Sequence, residues 1–167
     1  MEIRLLKASD AESYWELRLE ALKQNPEAFA TSYEEALKRD NPIGQVVNNL
    51  NSKGNYTFGA FENNSLIGMV TLMEEKHQKL AHRANIFAMY VTPVKQGKGV
   101  GDALLKEVIR TSKSIEKCEK LNLTVVKTNE KAKKLYLNAG FQPFGLEERA
   151  LKIDGIYYDE EYMTLLL

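Results

Sequence analysis

The sequence predicts an α/β (α+β) fold: a mixed, mostly antiparallel, twisted sheet of six to seven strands with helices on both faces. Three observations carry this. Apolar residues recur at helical spacing near the N-terminus and change to strand-like runs from residue 56. An apolar strand at 84–91, an amphipathic segment at 99–115 and a strand at 121–126 make one βαβ crossover with parallel strands. Asp154-Gly155 separates two final strand-like runs, and that dipeptide favours a tight hairpin. All 167 residues read as one domain, within the usual range of about 100–200.

In order, residues 2–6 form a short strand. Ser9 or Asp10 caps a helix to about residue 24, with Tyr14, Leu17, Ala21 and Leu22 on one side. Asn25-Pro26 breaks it, and one or two helical turns fit between 28 and 39. Pro42 opens a helix to about residue 50, since proline suits a first turn. Strands at 56–61 and 66–73 flank the turn Glu62-Asn63-Asn64-Ser65. The strand at 84–91 stops before Pro93. The helix at 99–115 shows the stripe Leu104, Leu105, Val108, Ile109 and Ile115. After the strand at 121–126, a helix at 129–138 closes on Gly140. Strands at about 145–153 and 156–166 end the chain.

Composition removes several function classes. With 23 Lys+Arg against 23 Asp+Glu, no basic excess points to nucleic acid. No apolar run reaches the ~18 residues of a membrane span, and the N-terminus lacks a signal-peptide apolar region. A single cysteine rules out an intrachain disulfide and suits a reducing, cytoplasmic setting. His77 and His82 stand without a metal-ligand pattern, so no metal is expected. Charge is uneven, however. Residues 95–134 carry 11 basic and 5 acidic residues, leaving 12 and 18 elsewhere.

The most informative segment joins the third strand to the long helix. Glycines alternate at 97, 99 and 101, so successive backbone N–H groups can face an anion. The helix that follows adds its free N–H groups and the positive end of its dipole. The P-loop string is absent, and the dinucleotide fingerprint does not fit G-x-G-x-G this late in the chain. What remains is Gln96-Gly97-Lys98-Gly99-Val100-Gly101, which resembles the [RQ]-x-x-G-x-[GA] acetyl-CoA signature of the GNAT family of N-acetyltransferases. A second segment, Asn129-x-x-Ala132-x-x-Leu135-Tyr136-x-x-x-Gly140-Phe141, resembles that family's next motif. Both stand in the expected order, and the resemblance is sharpest over residues 85–141.

The resemblance implies a GNAT-like sheet whose crossover carries the acetyl-CoA loop. It implies that Gln96, Gly97, Lys98, Gly99, Val100 and Gly101 supply amides to the CoA pyrophosphate, with Asp102 beginning the helix. It implies that the backbone of Met89, Tyr90 and Val91 holds the pantetheine arm and polarises the thioester carbonyl. Asn129 is either a helix N-cap, a contact to that arm, or both. Tyr136 is a core aromatic by spacing; by resemblance it is the general acid for the departing CoA thiolate. No acid occurs in the strand before the loop, so the general base stays open among Glu74, Glu75, His82 and a water relay.

The implied activity is acetyl-CoA-dependent transfer to a primary amine, directly within a ternary complex. The alternative is a non-catalytic acyl-CoA-binding sensor or interaction module. Residues 1–40 hold 9 acids and 6 bases, and residues 141–167 hold 6 and 2. Such flanks would suit a cationic acceptor amine. Nucleic-acid and membrane partners are not expected; a homodimer is common in the family and stays open.

Overall fold

The computed structural model describes residues 1–167, and its sheet holds seven strands. They are β1 (Glu2–Leu5), β2 (Asn55–Glu62), β3 (Ser65–Glu74), β4 (Arg83–Val91), β5 (Lys120–Val126), β6 (Gln142–Ile153) and β7 (Ile156–Leu166). The helices are α1 (Ala11–Gln24), α2 (Tyr33–Leu37), α3 (Pro42–Leu50), α4 (Val100–Ser114) and α5 (Glu130–Asn138). Strand order is β1-β2-β3-β4-β5-β7-β6, and every pair is antiparallel except β4 and β5. No helix is long and apolar enough to cross a membrane.

Both tight hairpins follow from positive φ. Asn63 and Asn64 adopt φ of 49° and 65° between β2 and β3, and Asp154 and Gly155 adopt 48° and 82° between β6 and β7. Such left-handed pairs match the twist of the strands they join. β6 begins three residues earlier than the sequence predicts, at Gln142. It is an edge strand, where Pro143 need not donate a ladder bond.

Alternation along β3 assigns the two faces. Val70 and Leu72 join the main core with Leu104, Leu105 and Val108 of α4 and Tyr136 of α5. Met69, between Gly68 and Val70, instead packs with Leu17 and Ala21 of α1 and with Tyr90. Hence α4 and α5 cover one face and α1 the other. Of the predicted α4 stripe, Leu104, Leu105 and Val108 are buried, Ile109 is partly buried and Ile115 falls just past the helix end; Val100 and Ser112 complete the buried face, and the Ser112 Oγ donates to the Ile109 carbonyl at 2.8 Å.

The start of α1 differs from expectation. Residues Ala8–Asp10 form a 3-10 turn, and neither Ser9 nor Asp10 caps α1 with its side chain. The Asp10 carboxylate is taken up by the Arg4 guanidinium at 2.7 and 2.8 Å and by the Lys7 N–H at 2.7 Å.

Candidate active site

The site begins where a ladder stops. β4 pairs with β5 only over Arg83–Asn85, opposite Lys120–Asn122. Beyond Asn85 the two strands part, and the β5-facing edge of β4 has no strand partner. A cleft of about 790 Å³ lies at the open end. One wall is β4 itself, through Met89, Tyr90 and Val91; α5 supplies the other through Ala132, Leu135 and Asn138.

A bulge shapes the β4 wall. Met69 opposes Tyr90 and Thr71 opposes Phe87, so Val70 faces two residues, Ala88 and Met89. Ala88 takes φ of 54°, a conformation that costs an L-residue roughly 1–2 kcal/mol. Strain of this kind is retained where it re-aims backbone groups. The sequence carries no sign of it, because alanine marks no turn.

The glycine loop closes one end. Gly97 and Gly99 adopt φ of 71° and 77°, and a Cβ on either would meet nothing within 4 Å. The space above them is open, and Gly99 is the N-cap of α4. Free N–H groups of the first turn therefore face an unobstructed hollow. The Gln96 amide Nε2 donates to the Val91 carbonyl at 3.0 Å and ties the loop to the strand end. Lys95 pairs with Glu62 and anchors the preceding turn. Gly101 serves a different purpose: its Cβ would stand 3.3 Å from Leu135, so the glycine lets α4 approach α5.

Of the residues singled out from sequence, Met89, Tyr90, Val91, Gln96, Gly97, Gly99, Gly101, Asp102 and Asn129 line this one cleft. Lys98, Val100 and Tyr136 do not. Lys98 is exposed, and the Val100 side chain is buried in the core. Tyr90 contributes its backbone side, because its ring packs under α1 and its hydroxyl donates to Glu20 at 2.9 Å. Asn129 caps α5, accepting the Ala132 N–H at 3.1 Å, while also facing the cleft.

Tyr136 is 6% exposed and packs edge-on to Phe141, ring centroids 6.0 Å apart. Burial pushes its pKa up to about 12. Its hydroxyl makes no hydrogen bond within the chain. The enclosed, unpartnered side-chain polar atoms are Arg18 Nη1, Asn55 Oδ1, Arg83 Nε and Asn122 Oδ1.

Other groups also reach the cleft. Asn25, Ala28 and Phe29, from the turn after α1, close its second side, and Lys131 and Lys134 supply positive charge. Asp102 is the one acid in the lining. Glu74 and Glu75 lie at the far, paired end of β4, held by the Tyr56 hydroxyl and the Asn85 amide. Four of the acids expected to form an acceptor wall are engaged elsewhere: Glu20 by Tyr90, Glu147 by Tyr162, Glu161 by Lys133 and Asp159 by Lys127. Glu160 stands opposite Val126 at the cleft end of β5; burial, then the charge of Glu147, pushes its carboxyl above the usual range.

The acetyltransferase (GNAT) family profile matches residues 11–141, and the chain belongs to that family. A spermidine N(1)-acetyltransferase of Vibrio cholerae is 33% identical over 102 residues, covering 61% of this chain. The chain spans only 57% of that relative's length. A GNAT-family acetyltransferase of Streptococcus pneumoniae superposes with a TM-score of 0.87 at 23% identity, over 99% of both chains. The yncA protein of Salmonella typhimurium, solved with its cofactor acetyl-CoA, gives 0.85 at 20% identity, over 100% of this chain and 94% of its own. At these identities the two structures attest the fold.

Proposed function

We propose that the protein is an acetyl-CoA-dependent N-acetyltransferase acting on a primary amine by direct transfer in a ternary complex. The observation that carries this is the cleft at the parting of β4 and β5, with the glycine loop and the α4 N-terminus at one end. The open space over Gly97 and Gly99 suits a pyrophosphate, which an added side chain would displace. Lys131 and Lys134 add charge of the right sign. The unpaired edge of β4 at Met89, Tyr90 and Val91 offers backbone bonds to an extended amide arm, as an added strand would. Family membership, and a relative named for acetylating spermidine, support the amine acceptor.

Acetyl-CoA supplies an activated thioester. The acceptor nitrogen forms a bond to its carbonyl carbon, the carbon–sulfur bond breaks, and the sulfur leaves with the electron pair. In this reading the bulge at Ala88 aims backbone N–H groups at the carbonyl oxygen. Tyr136 holds its proton at Oη across the working pH range and delivers it to the sulfur. The amine loses a proton to water or to Glu160, whose raised pKa makes it a better base at neutral pH.

The decisive experiment is thermal unfolding with acetyl-CoA, and with ATP and NAD as controls. At 100 times its Kd a ligand adds about 2.7 kcal/mol. That raises Tm by roughly 5–10 °C in a chain of this size. The shift is expected with acetyl-CoA alone and is expected to vanish in Gly99→Glu, which puts bulk and negative charge where phosphates would lie. Equal shifts in the variant would remove the loop from the donor site.

A further inference from the structure

Tyr14, Arg18 and Ala21 are four and three residues apart on α1, so they share one face. Ala21 is fully buried with Leu17 against Met69 and Tyr90, and Tyr14 and Phe29 pack at the border of that cluster. Arg18 reaches the same border. Its guanidinium carbon lies 4.4 Å over the centre of the Phe29 ring, and Phe29 is part of the cleft wall. The Arg18 Nη1 atom is enclosed and has no hydrogen-bond partner. No carboxylate of the chain pairs with Arg18. Burial pushes its pKa below the usual guanidinium value; the nearby Tyr14 phenol opposes this, and Arg39 adds repulsion.

A guanidinium that is sheltered, stacked and without a counter-charge is costly unless something outside the chain completes it. Phe29 lies against the guanidinium carbon, so a planar oxyanion has the N–H edge of the group left to bind, through the donors other than the enclosed Nη1. An ammonium in the same place would meet the positive charges of Arg18 and Arg39.

We infer that Arg18 binds a carboxylate on the acceptor, so that the acetylated amine belongs to an amino acid or a related amino carboxylate. The inference rests on the reading of the cleft as the acetyl-CoA site, since Phe29 connects the two. It replaces the cationic acceptor that the acidic flanks suggested, because none of those acids lines the cleft.

The test is acetyl transfer by the full chain, followed as thiol release, to the proteinogenic L-amino acids, their carboxamides and spermidine. The best acid is expected to exceed its own carboxamide roughly 10- to 100-fold in kcat/KM. In Arg18→Met that preference disappears through KM, while kcat on the carboxamide stays within about twofold. Acetyl-CoA binding, read by thermal shift, is unchanged. Arg18→Lys recovers part of the preference, because it keeps the charge and loses the fork. Should Arg18→Met fail to fold, the wild-type comparison of acid with carboxamide decides the matter. Acetylation of no carboxylate-bearing amine, equal use of carboxamides or spermidine, or an undiminished preference in Arg18→Met would each overturn the inference. A wild-type chain that acetyl-CoA does not stabilise overturns the donor reading first, and this inference with it.

Discussion

Tyr136 is a packing residue to which the proposed mechanism gives a chemical task as well. Its ring fills the core against Phe141, yet its hydroxyl bonds to nothing in the chain. Removing that oxygen therefore costs little structure. Tyr136→Phe is expected to change stability by no more than about 0.5 kcal/mol, as for substitutions that break no contact. Turnover is expected to fall on the order of 100-fold, the usual loss of a general acid, with acetyl-CoA affinity retained. Paired denaturation and steady-state kinetics check this; intact turnover would make the residue a core aromatic alone. A folded-state pKa raised to about 12 keeps the phenol protonated at neutral and moderately alkaline pH. Proton transfer from so weak an acid to a thiolate of ordinary basicity is uphill, so the proposed mechanism requires a sheltered, more basic sulfur.

At the scale of the element, the junction of β1 and α1 is held by charge. Arg4 and Asp10 form a two-pronged pair with side chains 31% and 13% exposed. The Arg4 hydrogen bonds, against the opposing effect of burial and with help from the Lys7 N–H, hold the Asp10 carboxyl below its ordinary range. A carboxylate with a depressed folded-state pKa stabilises above its unfolded pKa and loses that contribution as pH falls through the folded value. Asp10→Asn is thus expected to lower stability by about 1 kcal/mol near pH 7, allowing for partial exposure. The gap to wild type is expected to persist down to about pH 4 and close below it. Urea unfolding across that range measures it, and a gap independent of pH would remove the ion pair as its cause.

At the scale of the whole molecule, the site exists because seven strands are held together while one ladder is left unfinished. β5 is secured on its other side by β7 over Lys120–Val126, so it need not follow β4 beyond Asn85. Binding in the gap is expected to slow hydrogen exchange selectively. Amides of residues 89–91 and 97–102 should gain protection with acetyl-CoA, while those of the β6–β7 hairpin tip should not. Uniform protection would indicate general tightening of the fold instead.

Local chemistry was legible in the chain itself. The glycine loop, the α4 stripe, Asn129 at its cap, Gly140 and the Asp154-Gly155 turn depend on neighbours a few residues away, where spacing and backbone preference decide the outcome. Other assignments turned on distant partners. Asp10 was claimed by Arg4 rather than by its helix, Glu20 by Tyr90 seventy residues away, and Gly101 by the approach of Leu135. The bulge at Ala88, the parting of β4 from β5, and the sheltered Arg18 behind Phe29 have no local signature either. Sequence by itself determined the family, the strand and helix order and the place of the glycine loop, because these are written in short-range periodicity and backbone conformation. Tertiary structure alone decided the shape of the cleft and which residues line it, because strand pairing and packing between distant segments set both.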